Sequence, residues 1–171
     1  MITITQAKMK DAAVLALLGQ LTYAQSHGHF IPDKTDLSKY IDNAFSVAKI
    51  REDLNTNHNL FYLLYVDDLP IGYAKLVLNA KHESISQTNN CRLERIYILN
   101  EFIPLKLGQQ FLNFLIEKAR TLGLETMWLS VYIKNFRAIR FYERNAFKAV
   151  GKLNFLVNGI GYENIVYSKH I

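Results

Sequence analysis

The chain has 171 residues, half of them apolar, and 20 Lys and Arg against 15 Asp and Glu give a formal charge of +5. Ten Tyr, ten Phe and one Trp argue against disorder, and a single cysteine, Cys91, excludes an internal disulfide framework and any Cys-based zinc cluster. The length suits one domain, residues 1–171, with a core that needs no staple, the lone cysteine points to a reducing cytoplasm, and the mild charge excess favours an anionic partner: a nucleic acid, a membrane surface or a phosphorylated small molecule.

Ile2–Gln6 alternates Ile and Thr and predicts a short strand. Asp11 is placed to cap a helix running to about Gln25, with Val14, Leu17, Leu18 and Leu21 on one face. Lys8 and Lys10 before the apolar Ala12–Leu18 only faintly imitate a signal peptide, because Asp11 abuts the run and no cleavage site follows cleanly. No apolar run approaches the roughly 20 residues of a membrane span. Ser26–Asp36 carries Gly and Pro and predicts a loop, Asp36–Phe45 a second helix, and Ser46 a cap for Val47–Leu54. Leu60–Val66 and Ile71–Leu78 predict a hairpin around Asp67, Asp68 and Pro70. After a polar loop, Asn79–Asn90, comes a strand, Cys91–Leu99. A long helix follows, Leu107–Leu122, with Leu107, Phe111, Phe114, Leu115, Ala119 and Leu122 as its apolar face and Gly123 to end it. Met127–Tyr132 is a strand, and Asn135 caps a short helix to about Arg144. Phe147–Val157 and Ile160–Ser168 close the chain as a hairpin around Asn158-Gly159. This order predicts an α/β (α+β) fold with a mixed sheet and helices on its faces. The crossing from Cys91–Leu99 to Met127–Tyr132 should join parallel strands, with an open site beyond their carboxyl ends.

The informative region is Leu93–Phe147. A strand, a turn and a helix start present free N–H groups and a partial positive charge, which suits phosphate. Gly108 either lets a ligand approach the backbone or is a packing glycine. In this region LERIYILNEF, a Gly-bearing turn and KNFRAIRFYERNAF resemble the Gcn5-related N-acetyltransferases, and within them the PaiA-type spermidine/spermine acetyltransferases. The WLSVYIKN strand end, IDNAF (Ile41–Phe45) and IGYAKL (Ile71–Leu76) extend the resemblance over nearly the whole chain.

The resemblance implies a mostly antiparallel central sheet flanked by helices, with its parallel pair at the cofactor cleft. It also implies acetyl-CoA as cosubstrate and no metal. Against the family turn Gln/Arg-x-x-Gly-x-Gly/Ala, the segment Ile103-Pro104-Leu105-Lys106-Leu107-Gly108 keeps only the last position. Pro104 has no N–H, so the pyrophosphate cradle falls to the amides of Leu107, Gly108, Gln109 and Gln110 and to the Lys106 ammonium. By the same resemblance Asn135 stands near the pantetheine arm, and Phe141 walls the cofactor or packs in the core. Ile96, Tyr97 and Ile98 offer backbone groups to the acetyl and pantetheine segments. Tyr142 donates a proton to the departing thiolate and Glu94 is the general base; otherwise they are a core tyrosine and a surface carboxylate paired with a basic residue. Glu94's neighbours on its strand read as apolar, and Ala146 reads as a tolerated replacement of a turn glycine.

The acceptor is expected to be a small-molecule or peptide amine, a polyamine among them. Its site is expected in the N-terminal helices and loops, with Tyr23, His27 and Tyr40 foremost and His29, Phe30, Asp33, Asp36 and Asp42 as further candidates. His27 and His29 read as solvated loop histidines, since nothing completes a metal site. The same fold could instead serve as a CoA-binding regulatory protein without catalysis. The best support for nucleic acid is Lys134–Lys148, where basic residues interleave with aromatics; no reader motif is present, and the segment is assigned to the acetyltransferase helix. The closing hairpin offers an edge for a homodimer.

Overall fold

The computed structural model describes all of residues 1–171. Its strands are β1 (Ile2–Gln6), β2 (Asn59–Val66), β3 (Leu69–Leu78), β4 (Asn90–Ile98), β5 (Thr126–Tyr132), β6 (Lys148–Val157) and β7 (Ile160–His170). Its helices are α1 (Ala12–His27), α2 (Lys34–Ala44), α3 (Val47–Leu54), α4 (Leu107–Thr121) and α5 (Phe136–Arg144). The strands form one mixed sheet in the order β1-β2-β3-β4-β5-β7-β6, mostly antiparallel. The parallel pair is β4 with β5, as a crossing through one helix requires, and its ladder runs from Asn90–Arg92 against Thr126–Trp128. Two short turns set the hairpin registers. Asp67 and Asp68 join β2 to β3 and Asn158 and Gly159 join β6 to β7, each with positive φ at both central positions, the twist that antiparallel strands favour.

The chain divides into two compact units. The first comprises residues 1–76 and 95–114. Its core gathers Leu15, Phe45, Ile50, Phe61, Leu63, Leu64, Ile71 and Tyr73. Here α1 departs from the expected face. Ala12, Leu15, Ala16, Leu18, Gly19, Thr22 and Tyr23 are buried, while Leu17 and Leu21 are 57% and 46% exposed. The helix has no charged residue, so nothing in its pattern fixes the inward side. The fit of Gly19 decides it, because the Phe45 ring fills the space a Cβ there would take.

Asp11 does not cap α1. It ends a short 3-10 turn, Met9–Asp11, and its carboxylate accepts the Lys8 N–H at 2.8 Å. The expected loop over Ser26–Asp36 contracts to Gly28–Asp33. α1 continues through His27, and Asp33 accepts the N–H groups of Thr35 and Asp36 at 2.7 and 3.3 Å, starting α2 two residues early. Ser46 caps α3 as expected, accepting from Lys49 N–H at 3.1 Å. A buried ion pair, Lys75 Nζ to Asp53 Oδ2 at 2.9 Å, ties α3 to β3.

The second unit comprises residues 77–94 and 115–171. Its core gathers Cys91, Leu115, Met127, Trp128, Leu129, Phe147, Val166 and Tyr167. The Trp128 indole N–H is shared by the Ala80 carbonyl and Asn90 Oδ1 at 3.2 and 3.3 Å. Leu122, expected on the buried face of α4, is 52% exposed. The helix ends at Thr121, Gly123 turns the chain at φ +75°, and Leu124 takes the buried place instead, its N–H donating to the Ala119 carbonyl at 3.1 Å. No helix is long and apolar enough to cross a membrane.

Candidate active site

In the first unit, β4 leads through a 3-10 turn, Asn100–Leu105, into α4. Lys106 stands between them in the left-handed region, at φ +56° and ψ +27°, and its N–H donates to the Ile103 carbonyl at 3.0 Å. This is the position where the family turn has its first glycine. A lysine there bears roughly 1 kcal/mol of backbone strain that glycine would not. Its side chain is exposed, while Leu107 is buried and anchors the helix start. The amides of Leu107, Gly108 and Gln109 lie in the first turn, where a helix has no internal acceptors to give them. Gln110 is exposed beside them, and the Gln109 side-chain Nε2 donates to Asn113 Oδ1 at 2.9 Å. Upstream, the backbone of Ile96, Tyr97 and Ile98 is held close to β3: the Tyr97 carbonyl lies 2.5 Å from where a Cβ on Gly72 would sit, so only glycine allows the approach.

Tyr23, His27 and Tyr40 are brought together in this unit. Tyr23 stacks on His27 at 4.6 Å between ring centroids and leans on Tyr40 at 4.8 Å. Tyr97 meets His27 edge-on at 5.8 Å and Tyr73 at 5.9 Å. Thus Tyr97 joins the aromatic group by its ring. Burial, then the neighbouring Tyr73 and Tyr23, pushes its phenol well above the ordinary range. His27 is not the solvated loop histidine expected. It ends α1 with Ser26 Oγ 2.7 Å from Nδ1, and burial followed by the charge of His29 pushes it down to about 4, leaving it neutral at pH 7. His29 is exposed and packs on Phe30 at 3.8 Å. Asp33 is occupied as the α2 cap, Asp36 is half-buried and Asp42 is exposed. No three His, Cys, Asp or Glu side chains converge as a metal site would need.

The second unit holds Glu94, Asn135, Phe141 and Tyr142. Glu94 is a quarter exposed, and its Oε1 lies 3.9 Å from Arg92 NH1. It therefore has a cation within ion-pair reach, where its strand neighbours read as apolar. Arg92 also stacks over Trp128 at 5.0 Å and reaches Ser130 Oγ at 3.4 Å. The signal for Arg92 was the two-residue period of a strand, which puts positions 92 and 94 on one face. Asn135 caps α5, accepting the Ala138 N–H at 3.2 Å. Tyr142 is 8% exposed, set between Phe141 at 5.3 Å and Phe147 at 5.6 Å, and burial pushes its phenol up. Ala146 is left-handed at φ +62°, so the glycine it replaces had a conformational reason. Burial pushes the Cys91 thiol up to about 12, which makes it a poor nucleophile.

Residues 27–147 match the family model described as acetyltransferase (GNAT) family. The chain is 30% identical over 142 residues to an uncharacterized N-acetyltransferase in the pepI 3' region of Lactobacillus delbrueckii subsp. lactis, covering 82% of this chain and 81% of that one. It is 30% identical over 94 residues to the spermine/spermidine N(1)-acetyltransferase of Bacillus subtilis (strain 168), covering 54% of this chain and 61% of that one. Among solved structures, PaiA N-acetyltransferase from Thermoplasma acidophilum in complex with coenzyme A superposes with a TM-score of 0.80 at 19% identity, over 100% of this chain and 99% of that one.

Proposed function

The chain belongs to the GNAT family of N-acetyltransferases, with acetyl-CoA as cosubstrate, and on that premise we propose how its own residues divide the work. We propose that residues 1–171 act as a single N-acetyltransferase domain that acetylates a primary amine by direct attack in a ternary complex. The observation that carries the reading is the match over residues 27–147, which takes in Glu94, the Lys106 turn and Tyr142 alike. The donor set fits the cosubstrate, since the first-turn amides of α4 and an ammonium at Lys106 suit a pyrophosphate.

Acetyl-CoA supplies the activated acyl carbonyl. Lys106, Leu107, Gly108, Gln109 and Gln110 bind the phosphates. Backbone groups of Ile96, Tyr97 and Ile98 orient the acetyl end, and one N–H polarises its carbonyl. Asn135 lies along the pantetheine arm while capping α5, and Phe141 walls it. Glu94 accepts a proton from the bound ammonium through water, freeing the neutral amine that attacks the thioester carbonyl, with Arg92 beside its carboxylate. Tyr142 keeps its proton at every working pH and donates to the departing sulfur.

Tyr23, His27 and Tyr40 form the acceptor's wall. A neutral His27 puts no positive charge beside an incoming ammonium, and ring faces attract it. A polyamine is the leading acceptor, supported by the spermine/spermidine relative. The inert Cys91 fits a reducing cytoplasm, and the edge strand β6 offers the surface for a homodimer.

Titration calorimetry with acetyl-CoA, followed by thiol release with spermidine, spermine, amino acids and peptide N-termini, tests the reading. Binding with turnover on a primary amine supports it. Binding without turnover on any amine favours a CoA-binding regulatory protein instead, a reading that the departures at Pro104 and Lys106 would fit.

A further inference from the structure

The segment Lys134–Lys148 has two sides. Its inward side holds Tyr142 and the half-buried Ala138, Ile139 and Phe141. Its outward side carries Arg137, Arg140 and Arg144, spaced three and four residues apart and so aligned in one stripe along α5. Lys134 precedes the helix and Lys148 follows it, and all five cations are exposed. Glu143 is the lone carboxylate among them, and it accepts the Tyr167 hydroxyl at 3.2 Å. Five cations against one anion put +4 of the chain's +5 into these 15 residues. None of the five is in an ion pair.

Part of this arrangement works against the helix that carries it, although Arg144, in the last turn, suits the dipole there. Arg137 lies in the first turn, where the helix dipole is positive and no acidic residue offsets it. Arg140 is a like-charge neighbour of both Arg137 and Arg144. The acetyltransferase roles proposed for Asn135, Phe141 and Tyr142 use the capping and inward groups and leave the stripe unused. The cosubstrate's pyrophosphate is already assigned to the turn before α4.

We propose that this stripe docks single-stranded nucleic acid, in the form of an RNA loop or end. Guanidinium groups in a row pair with successive phosphates. Phe136, 62% exposed at the start of the stripe, gives an unpaired base a ring to stack on, which a duplex cannot use. An anionic membrane fits less well, because the apolar side of α5 is turned inward and has nothing to insert. An acidic protein would leave Phe136 without a role.

The test is fluorescence anisotropy on the full chain with a labelled 20-nucleotide oligouridine, across a salt series. Poly-glutamate and phosphatidylserine vesicles serve as competing polyanions. The expected Kd is about 1–100 µM near 0.1 M salt, falling off steeply with added salt. The triple substitution Arg137→Gln, Arg140→Gln, Arg144→Gln should weaken binding about tenfold or more and flatten the log–log salt slope by about two. Phe136→Ser should weaken it about fivefold, with Phe136→Tyr near wild type. Calorimetry with CoA on the triple variant should match wild type, which also shows that the variant is folded. Equal or tighter binding to poly-glutamate or vesicles overturns the proposal. So does undiminished RNA binding by the triple variant, or a parallel loss of CoA affinity, which would assign the stripe to the cosubstrate.

Discussion

Tyr142 and His27 are both buried ionisable groups whose surroundings set which proton they hold. Burial keeps the Tyr142 phenol protonated, as the donor role proposed for it requires. Tyr142→Phe removes one oxygen and leaves the packing against Phe141 and Phe147. We expect kcat to fall about 10²- to 10⁴-fold while calorimetric CoA affinity stays within twofold. An unchanged kcat on the best amine would remove Tyr142 from the chemistry. His27 makes a separate prediction about stability. Its value falls from 6.5 when unfolded to about 4 when folded, so the unfolded chain binds the extra proton between those limits. The contribution is therefore fully present above pH 6.5 and is lost as pH falls toward 4, amounting to up to about 3 kcal/mol at 1.36 kcal/mol per pH unit. Urea unfolding of wild type against His27→Gln at pH 7 and pH 5 measures it, with the flatter dependence expected in the variant. The motif singles out Tyr142 in the sequence, and its setting between Phe141 and Phe147 fits a core tyrosine as well as a proton donor. The sequence misplaced His27, because a His-Gly-His run looks like a loop until Tyr23 and Tyr97 close around it.

Hairpins and caps were the legible elements. Asp67-Asp68 and Asn158-Gly159 are two-residue turns whose residue types tolerate positive φ, and Ser46 and Asn135 cap the helices they precede. The N-terminal helices were less legible. An uncharged α1 has no charged side to set against its apolar one, and the Gly- and Pro-bearing run before Asp36 hid the residue that starts α2. The structure gives that role to Asp33, and Asp33→Ala should lower the urea midpoint of unfolding, whereas an unchanged midpoint would deny the cap. The helix-start turn was legible only as a departure from the family pattern; its left-handed Lys106 supplies the reason the pattern has glycine. The same logic applies after α5. Ala146→Gly should stabilise the fold by about 1 kcal/mol or slightly less, because relief at φ +62° exceeds the added flexibility of the unfolded chain. A destabilised Ala146→Gly would mean that the Ala methyl packs usefully.

At the scale of the molecule, the net charge of +5 resolves into two unlike regions. The segment Lys134–Lys148 around α5 holds +4 of it, while a single lysine, Lys106, stands at the turn before α4. Composition could report the sum but not this division, which needs the helix to turn its arginines outward. The mixed sheet and its parallel pair followed from element order, since one helix crossing between β4 and β5 forces parallel strands. The pairing of Glu94 with Arg92 did not, because it depends on side-chain reach as well as on strand period. Acetyl transfer to a primary amine is checked by mixing the protein with acetyl-CoA and spermidine, then with each other amine of the panel, and quantifying free thiol and N-acetylated amine by mass spectrometry. One thiol per acetylated amine, with Tyr142→Phe slowed at least a hundredfold, is the predicted result. Saturable CoA binding with no acetylated product from any amine would contradict it.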